Sequence, residues 1–184
     1  FDPNGRCTRI PAIGRATEVP KAFRVRTFPV VEKHGLVYVW WGEPRDEYPQ
    51  LPEFDFMTDP RYVYSTVRDH WKTHYSRAVE NQLDVVHLPF VHSNTIGSSG
   101  KTLVNGPRFR VLEQPGGMDQ LEFWFDNEID RGQKALKPGE MPPTDAHPLI
   151  QFRFPNLWHN WLGDTFHLFI AFAPVDAANT VLYI

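Results

Sequence analysis

Seventeen prolines are spread along 184 residues, close to twice the usual share of about 5%. They leave one long stretch free: between Pro60 and Pro89 there is neither proline nor glycine. Proline fixes φ and removes a backbone donor, so it ends helices and is confined to turns and strand edges. The chain therefore has room for one substantial helix, and the rest must be short strands joined by irregular loops. The spacing predicts the helix over residues 69–87, with Asp69 as N-cap and an end near His87, because Pro89 disfavours the α region at Leu88.

Strand signals surround that stretch. Asp2-Pro-Asn-Gly5 reads as a turn, residues 23–31 alternate apolar and basic side chains, and Gly35 opens the apolar run Leu36-Val-Tyr-Val-Trp-Trp41. Residues 62–67 read as a further strand. Beyond Pro107, residues 108–112, 120–125, 150–154 and 166–172 alternate or run apolar, and Asp176-Ala-Ala-Asn179 is the turn of a closing hairpin. Strands, one helix, then an antiparallel meander make an α+β order rather than an alternating parallel one. Residues 42–52, rich in proline and charge, are the linker candidate. Arg24, Arg26, Arg108 and Arg110 are expected on solvated strand faces.

Composition excludes several classes. With 14 Phe, 6 Trp and 6 Tyr the chain has the apolar bulk for a sizeable core, which excludes wholesale disorder. A net charge of −3 supplies no basic footprint for nucleic acid. No apolar run reaches the ~18 residues of a membrane span. The single cysteine, Cys7, excludes an internal disulfide and a thiolate-only metal cage, and the lack of a disulfide framework points to the cytoplasm. A start at Phe1 inside a turn and an end at Ile184 inside a strand read as a piece of a longer chain, so the absence of a leader segment is uninformative.

The chemistry concentrates in Glu80-Asn-Gln-Leu-Asp84-Val-Val-His87-Leu-Pro-Phe-Val-His92. On a continuous helix Glu80, Asp84 and His87 share one face. His92 is five residues past His87, and the break at Pro89 lets its ring swing back toward that of His87. Two converging imidazoles are half of a metal site. One added carboxylate gives the facial triad of non-heme Fe(II). Polar helix residues more often form a solvated face, and that reading stands beside the metal one. Asp69-His70-Trp-Lys-Thr-His74 offers a second pair at i, i+4, a spacing used for zinc, but no Glu follows His70, and half-exposed histidines on the helix are the plainer expectation. In the segment from Asn156 to Gly163, with His167 beyond it, mixed aromatic and polar residues suit either a pocket wall or core packing.

Asn81-x2-Asp84-x2-His87-x4-His92 resembles the iron-binding motif of the Rieske non-heme iron oxygenases. Phe1-Asp-Pro-Asn-Gly-Arg-Cys7 is similar to the stretch after the second cluster-binding pair of a Rieske domain, residues 28–42 to that domain's closing strands, and Ala173-Pro-Val-Asp176 with Asn179-Thr to a late hairpin of the catalytic domain. The resemblance implies residues 1–44 as the end of the Rieske domain and residues 45–184 as a helix-grip catalytic domain truncated at its C-terminus. It implies that His87 and His92 hold the mononuclear iron and that Asp84 links an iron-ligand histidine to a Rieske histidine of the next subunit in a homotrimer. Asn81 matches a further motif position. The [2Fe–2S] ligands would lie upstream of Phe1 and the third, carboxylate ligand beyond Ile184, rather than at Asp164 or Asp176, and the chain by itself is expected not to turn over. The implied activity is O₂-dependent hydroxylation or oxidative demethylation of an aromatic or other cyclic substrate, monooxygenation before dioxygenation. Electrons would come from an NAD(P)H-dependent reductase, with or without a ferredoxin. The alternatives are a helix-grip binder of lipids or small molecules and a zinc hydrolase using His70 and His74.

Overall fold

The computed structural model describes residues 1–97, 101–114, 119–126, 128–141 and 144–184. Contacts divide the chain into two units, Phe1–Leu51 and Pro52–Ile184. In the first, β1 (Val30–Lys33) and β2 (Leu36–Val39) form an antiparallel hairpin. Its two-residue turn places His34 at φ 55° and Gly35 at φ 72°, the left-handed pair that matches the twist of a hairpin. Nearby, Arg6 bridges Arg24 and Phe28 stacks on Trp41 at 4.9 Å. The alternating run 23–31 is therefore extended mostly outside a sheet.

The second unit is governed by period-two alternation. Seven strands pair in the order β3-β9-β8-β7-β6-β5-β4: β3 (Arg68–Trp71), β4 (Arg108–Leu112), β5 (Gln120–Trp124), β6 (Ile150–Arg153), β7 (Leu157–Trp161), β8 (His167–Asp176) and β9 (Asn179–Tyr183). Every pairing is antiparallel. Ile150, Phe152, Trp158, Ile170, Phe172 and Leu182 share one face and form a buried core with Ala78 and Val85. Ala78 belongs to helix α1 (Tyr75–Leu83), so this face packs against the helix, with Tyr75 meeting Phe172 edge-on. The result is the expected α+β architecture, a helix laid on an antiparallel sheet.

The helix is shorter than the absence of proline predicts. Residues 68–71 form edge strand β3, whose register Asp69↔Leu182 and Trp71↔Thr180 puts Trp71 on the helix face, where it packs against the core. Tertiary pairing with β9 overrides the local helix propensity there. His74, not Asp69, is the N-cap, and its Nδ1 accepts from the Ser76 amide. The strand expected at 62–67 is displaced to β3. β7 is an additional strand inside the aromatic segment from Asn156 to Gly163.

Phe172 is fully buried between helix and sheet. Phe172→Ala should cost about 3–5 kcal/mol, read as a loss of unfolding free energy in urea without a change of slope.

Candidate functional site

Helix α1 ends because Asp84 supplies a competing set of hydrogen bonds. Asp84 leaves helical geometry at φ −79°, ψ 93°, and its Oδ1 accepts from the amides of Val86 at 2.9 Å and His87 at 3.3 Å. Such a side-chain turn diverts the backbone from the helix. The break falls at Asp84, three residues before the end expected from Pro89, so Glu80, Asp84 and His87 do not lie along one helix face. Pro89 instead occupies the first turn of α2 (Leu88–Val91), where a missing N–H leaves no bond unmade.

α2 is one turn long, with His87 at its N-cap and His92 at its C-cap. The two rings lie 5.3 Å apart between centroids, inclined at 62°. The return of the chain is fixed by Gly97. Its amide bonds to the His92 carbonyl at 2.9 Å, and a Cβ there would lie 2.1 Å from the Leu88 oxygen and 2.7 Å from the His92 oxygen. Only glycine fits that backbone approach.

Nδ1 of His87 is 3.2 Å from Asp84 Oδ2, close enough for electrostatic attraction but off the line of a hydrogen bond, and this buried nitrogen has no hydrogen-bond partner among the described residues. A carboxylate at that nitrogen favours a proton on Nδ1 and makes Nε2 the more basic atom, the arrangement found behind metal-bound histidines. The donor set therefore suits two imidazole bonds to Fe(II). Among the described residues no group of three or more His, Cys, Asp or Glu is placed to hold a metal ion.

The other candidates fall elsewhere. Asn81 is exposed on α1 and meets Gln82 at 3.4 Å. His70 stands on β3, with Nε2 3.0 Å from Asn179 Oδ1, and His74 caps α1, with Nδ1 2.9 Å from Ser76 Oγ. They do not share a helix. Asp176 is spent on its turn: the Ala178 amide and the Asn179 side chain hold its carboxyl below the usual carboxylate range. Asp164 lies in the loop after β7, where its carbonyl accepts from the Tyr62 hydroxyl at 2.8 Å.

The sheet face away from α1 carries a row of hydrogen-bonded polar side chains among buried apolar ones. Arg110, expected in solvent, donates from Nε and Nη2 to Glu122 Oε2 at 2.8 and 2.7 Å. Gln151 Nε2 donates to Glu122 Oε1 at 3.1 Å. His159 Nδ1 is 3.1 Å from Gln151 Oε1, and His159 Nε2 is 2.8 Å from His167 Nδ1. Burial first, then the neighbouring His167 and His147, bring the His159 imidazole down to about 3, so it is neutral. His159 and His167 line a cleft of about 380 Å³. The sequence signal for this row was polar residues recurring at alternate positions of strands otherwise apolar.

Residues 71–183 match the family model of the vanillate O-demethylase oxygenase C-terminal domain. The putative toluene-4-sulfonate monooxygenase system iron-sulfur subunit TsaM2 of Comamonas testosteroni is 34% identical over 166 residues, which cover 85% of this chain and 44% of that protein. Dicamba monooxygenase bound to dicamba matches 100% of this chain and 55% of its own, with a TM-score of 0.61 at 19% identity. The terminal oxygenase of carbazole 1,9a-dioxygenase from Nocardioides aromaticivorans IC177 matches 98% of this chain and 53% of its own, with a TM-score of 0.66 at 13% identity. At those identities the two structures show a common fold. The chain spans about half the length of the relatives it matches.

Two outcomes follow from the geometry. Gly97→Ala should destabilise the unit by about 1–3 kcal/mol, because the new Cβ meets backbone on two sides, and calorimetric unfolding measures it. His159 is held neutral, with a folded value below its unfolded one near 6.5. Its contribution to stability is full above that value, shrinks as pH falls, and is gone near pH 3, at up to about 1.4 kcal/mol per pH unit. Urea unfolding at pH 7.5, 6 and 5 should show that slope, and His159→Gln should flatten it.

Proposed function

Because this chain belongs to the vanillate O-demethylase oxygenase C-terminal domain family, the catalytic domains of Rieske oxygenases, we propose that it forms the iron-binding half of a terminal oxygenase that hydroxylates or demethylates an aromatic or other cyclic substrate with O₂. The observation that carries the reading is the pairing of His87 with His92 across one helical turn, with Asp84 against the buried Nδ1 of His87. His87 and His92 would hold the mononuclear Fe(II), and the third ligand, a carboxylate, is proposed beyond Ile184. Iron held in this way supplies the redox chemistry that activates O₂.

The chain's own residues set the conditions for that chemistry. Asp84 ends α1 and sets its carboxylate 3.2 Å from His87 Nδ1, where its charge favours the Nδ1–H tautomer. The short turn of α2, fixed by Pro89 and Gly97, keeps the two rings together without cost of ordering at each turnover. Asp84 is also the proposed link to a cluster histidine of a neighbouring subunit in a homotrimer, with Asn81 beside it on α1. Residues 1–44 are proposed as the end of the [2Fe–2S] domain and residues 45–184 as the catalytic domain. An NAD(P)H-dependent reductase, with or without a ferredoxin, is the proposed electron source, and the cytoplasm the proposed compartment. Among the described residues, no helix is long and apolar enough to cross a membrane.

Monooxygenation or demethylation is favoured over dioxygenation by the three-residue spacing of Asn81 and Asp84 and by the O-demethylase family model. The zinc-hydrolase alternative loses its basis, since His70 and His74 sit on different elements with other partners. No specific observation favours a helix-grip binder without redox chemistry.

Asp84→Asn in the full-length protein tests the role of the carboxylate. The amide oxygen can still accept from the Val86 and His87 amides, so iron should stay bound and the cluster should reduce normally. Oxidation of the reduced cluster in a single turnover with substrate and O₂ should slow at least ~10-fold. Stopped-flow absorbance reads this directly, and wild-type rates would make Asp84 an ordinary helix cap.

A further inference from the structure

The row of side chains on the sheet face away from α1 is a chain of hydrogen bonds whose direction is fixed at one end. Glu122 is buried, and Arg110 pairs with it, so its carboxylate accepts only. Gln151 must then turn its amide nitrogen to Glu122, which leaves its oxygen toward His159. An amide oxygen also only accepts, so the proton of neutral His159 sits on Nδ1 and its Nε2 is a bare acceptor. The 2.8 Å contact between that Nε2 and His167 Nδ1 puts the His167 proton on Nδ1. The free ring nitrogen of His167, Nε2, is therefore an acceptor. His147 Nδ1 likewise lies 2.8 Å from the Pro148 carbonyl, which only accepts, so that nitrogen carries a proton and Nε2 is the ring atom left for a ligand.

Both imidazoles line the 380 Å³ cleft. Asp55, Asp59 and Asp164 line it as well, and among the described residues they face one guanidinium, Arg61, which is committed to Asp59 through Nε and Nη2. The walls are aromatic. Phe56 stacks on His159 and on His167, each at 4.6 Å, and Tyr62 meets His167 edge-on at 4.7 Å. Acceptors, excess negative charge and ring faces together suit a ligand that donates hydrogen bonds and carries positive charge.

We propose that this cleft is a second ligand site, on the face of the sheet opposite helix α1, for a small organic ammonium held by His167 Nε2 between aromatic walls. The proposal is independent of the iron reading, because none of its groups belongs to the Asp84, His87 and His92 cluster.

The test is calorimetric titration of the intact protein at pH 7.5 with benzylamine, benzyl alcohol and benzoate. Benzylammonium should bind saturably at one site per chain, with benzyl alcohol weaker and benzoate at least ~10-fold weaker, as expected when a charged hydrogen bond is replaced by like-charge repulsion. His167→Phe keeps a ring for Phe56 to stack on and removes the acceptor, so affinity should fall roughly 3–10-fold. His87→Ala should leave binding unchanged, which separates this site from the iron. Nitrogen-15 spectra of histidine-labelled protein should show His159 and His167 as Nδ1–H tautomers even if the variant fails to fold. Absence of saturable benzylammonium binding, equal affinity for benzoate, unaltered affinity in folded His167→Phe, or an Nε2–H tautomer at His167 would each overturn the proposal.

Discussion

The hydrogen bonds from the Val86 and His87 amides to Asp84 Oδ1 decide what the rest of this chain can do. Without them α1 would run on, as the absence of proline before Pro89 allows, and His87 and His92 would be five residues apart on one continuous helix, pointing in different directions. With them the helix stops, the chain turns, and a single turn of α2 carries one imidazole at each end. The same side chain turns its other oxygen to His87 Nδ1. One carboxylate thus terminates a helix, sets a ring's environment and marks the polar end of an otherwise apolar packing surface.

That surface is held by the sheet. Ala78 is small and fully buried, which lets α1 approach the strands closely, and Phe172, Phe152 and Leu182 fill the space beside it. Strict alternation then assigns every second residue of β5–β8 to the opposite face, where Glu122, Gln151 and His159 are buried or nearly so and hydrogen-bonded to one another. Burying polar groups is costly unless they are paired, and here each pairs with its cross-strand neighbour: Arg110 with Glu122, Glu122 with Gln151, Gln151 with His159. The two faces have separate chemistry because one face packs a helix and the other packs the aromatic segment that includes Phe54 and Phe56.

The meander was legible in the sequence because its strands are short, alternating and bounded by turn residues. Strand 108–112 and the hairpin at Asp176–Asn179 fall where the pattern puts them. The start of the helix was not legible. Residues 68–71 have no strand signature of their own and become β3 only by pairing with β9, more than a hundred residues away. The break at Asp84 was misplaced because proline is the louder signal, while an Asp side chain that captures two amides leaves no mark beyond its own identity. The candidate metal histidines could be picked out from spacing and resemblance alone. The row ending at His167 could not, since its members are scattered over five strands and only the register aligns them.

His87 and His92 are proposed to hold one mononuclear iron between them. Electron paramagnetic resonance of the full-length protein, reduced and exposed to nitric oxide, reports that iron separately from the cluster. The proposed histidine pair predicts a ferrous-nitrosyl signal in the wild type that disappears in His87→Ala and in His92→Ala while the reduced-cluster signal remains. A nitrosyl signal of undiminished intensity in either variant would contradict it.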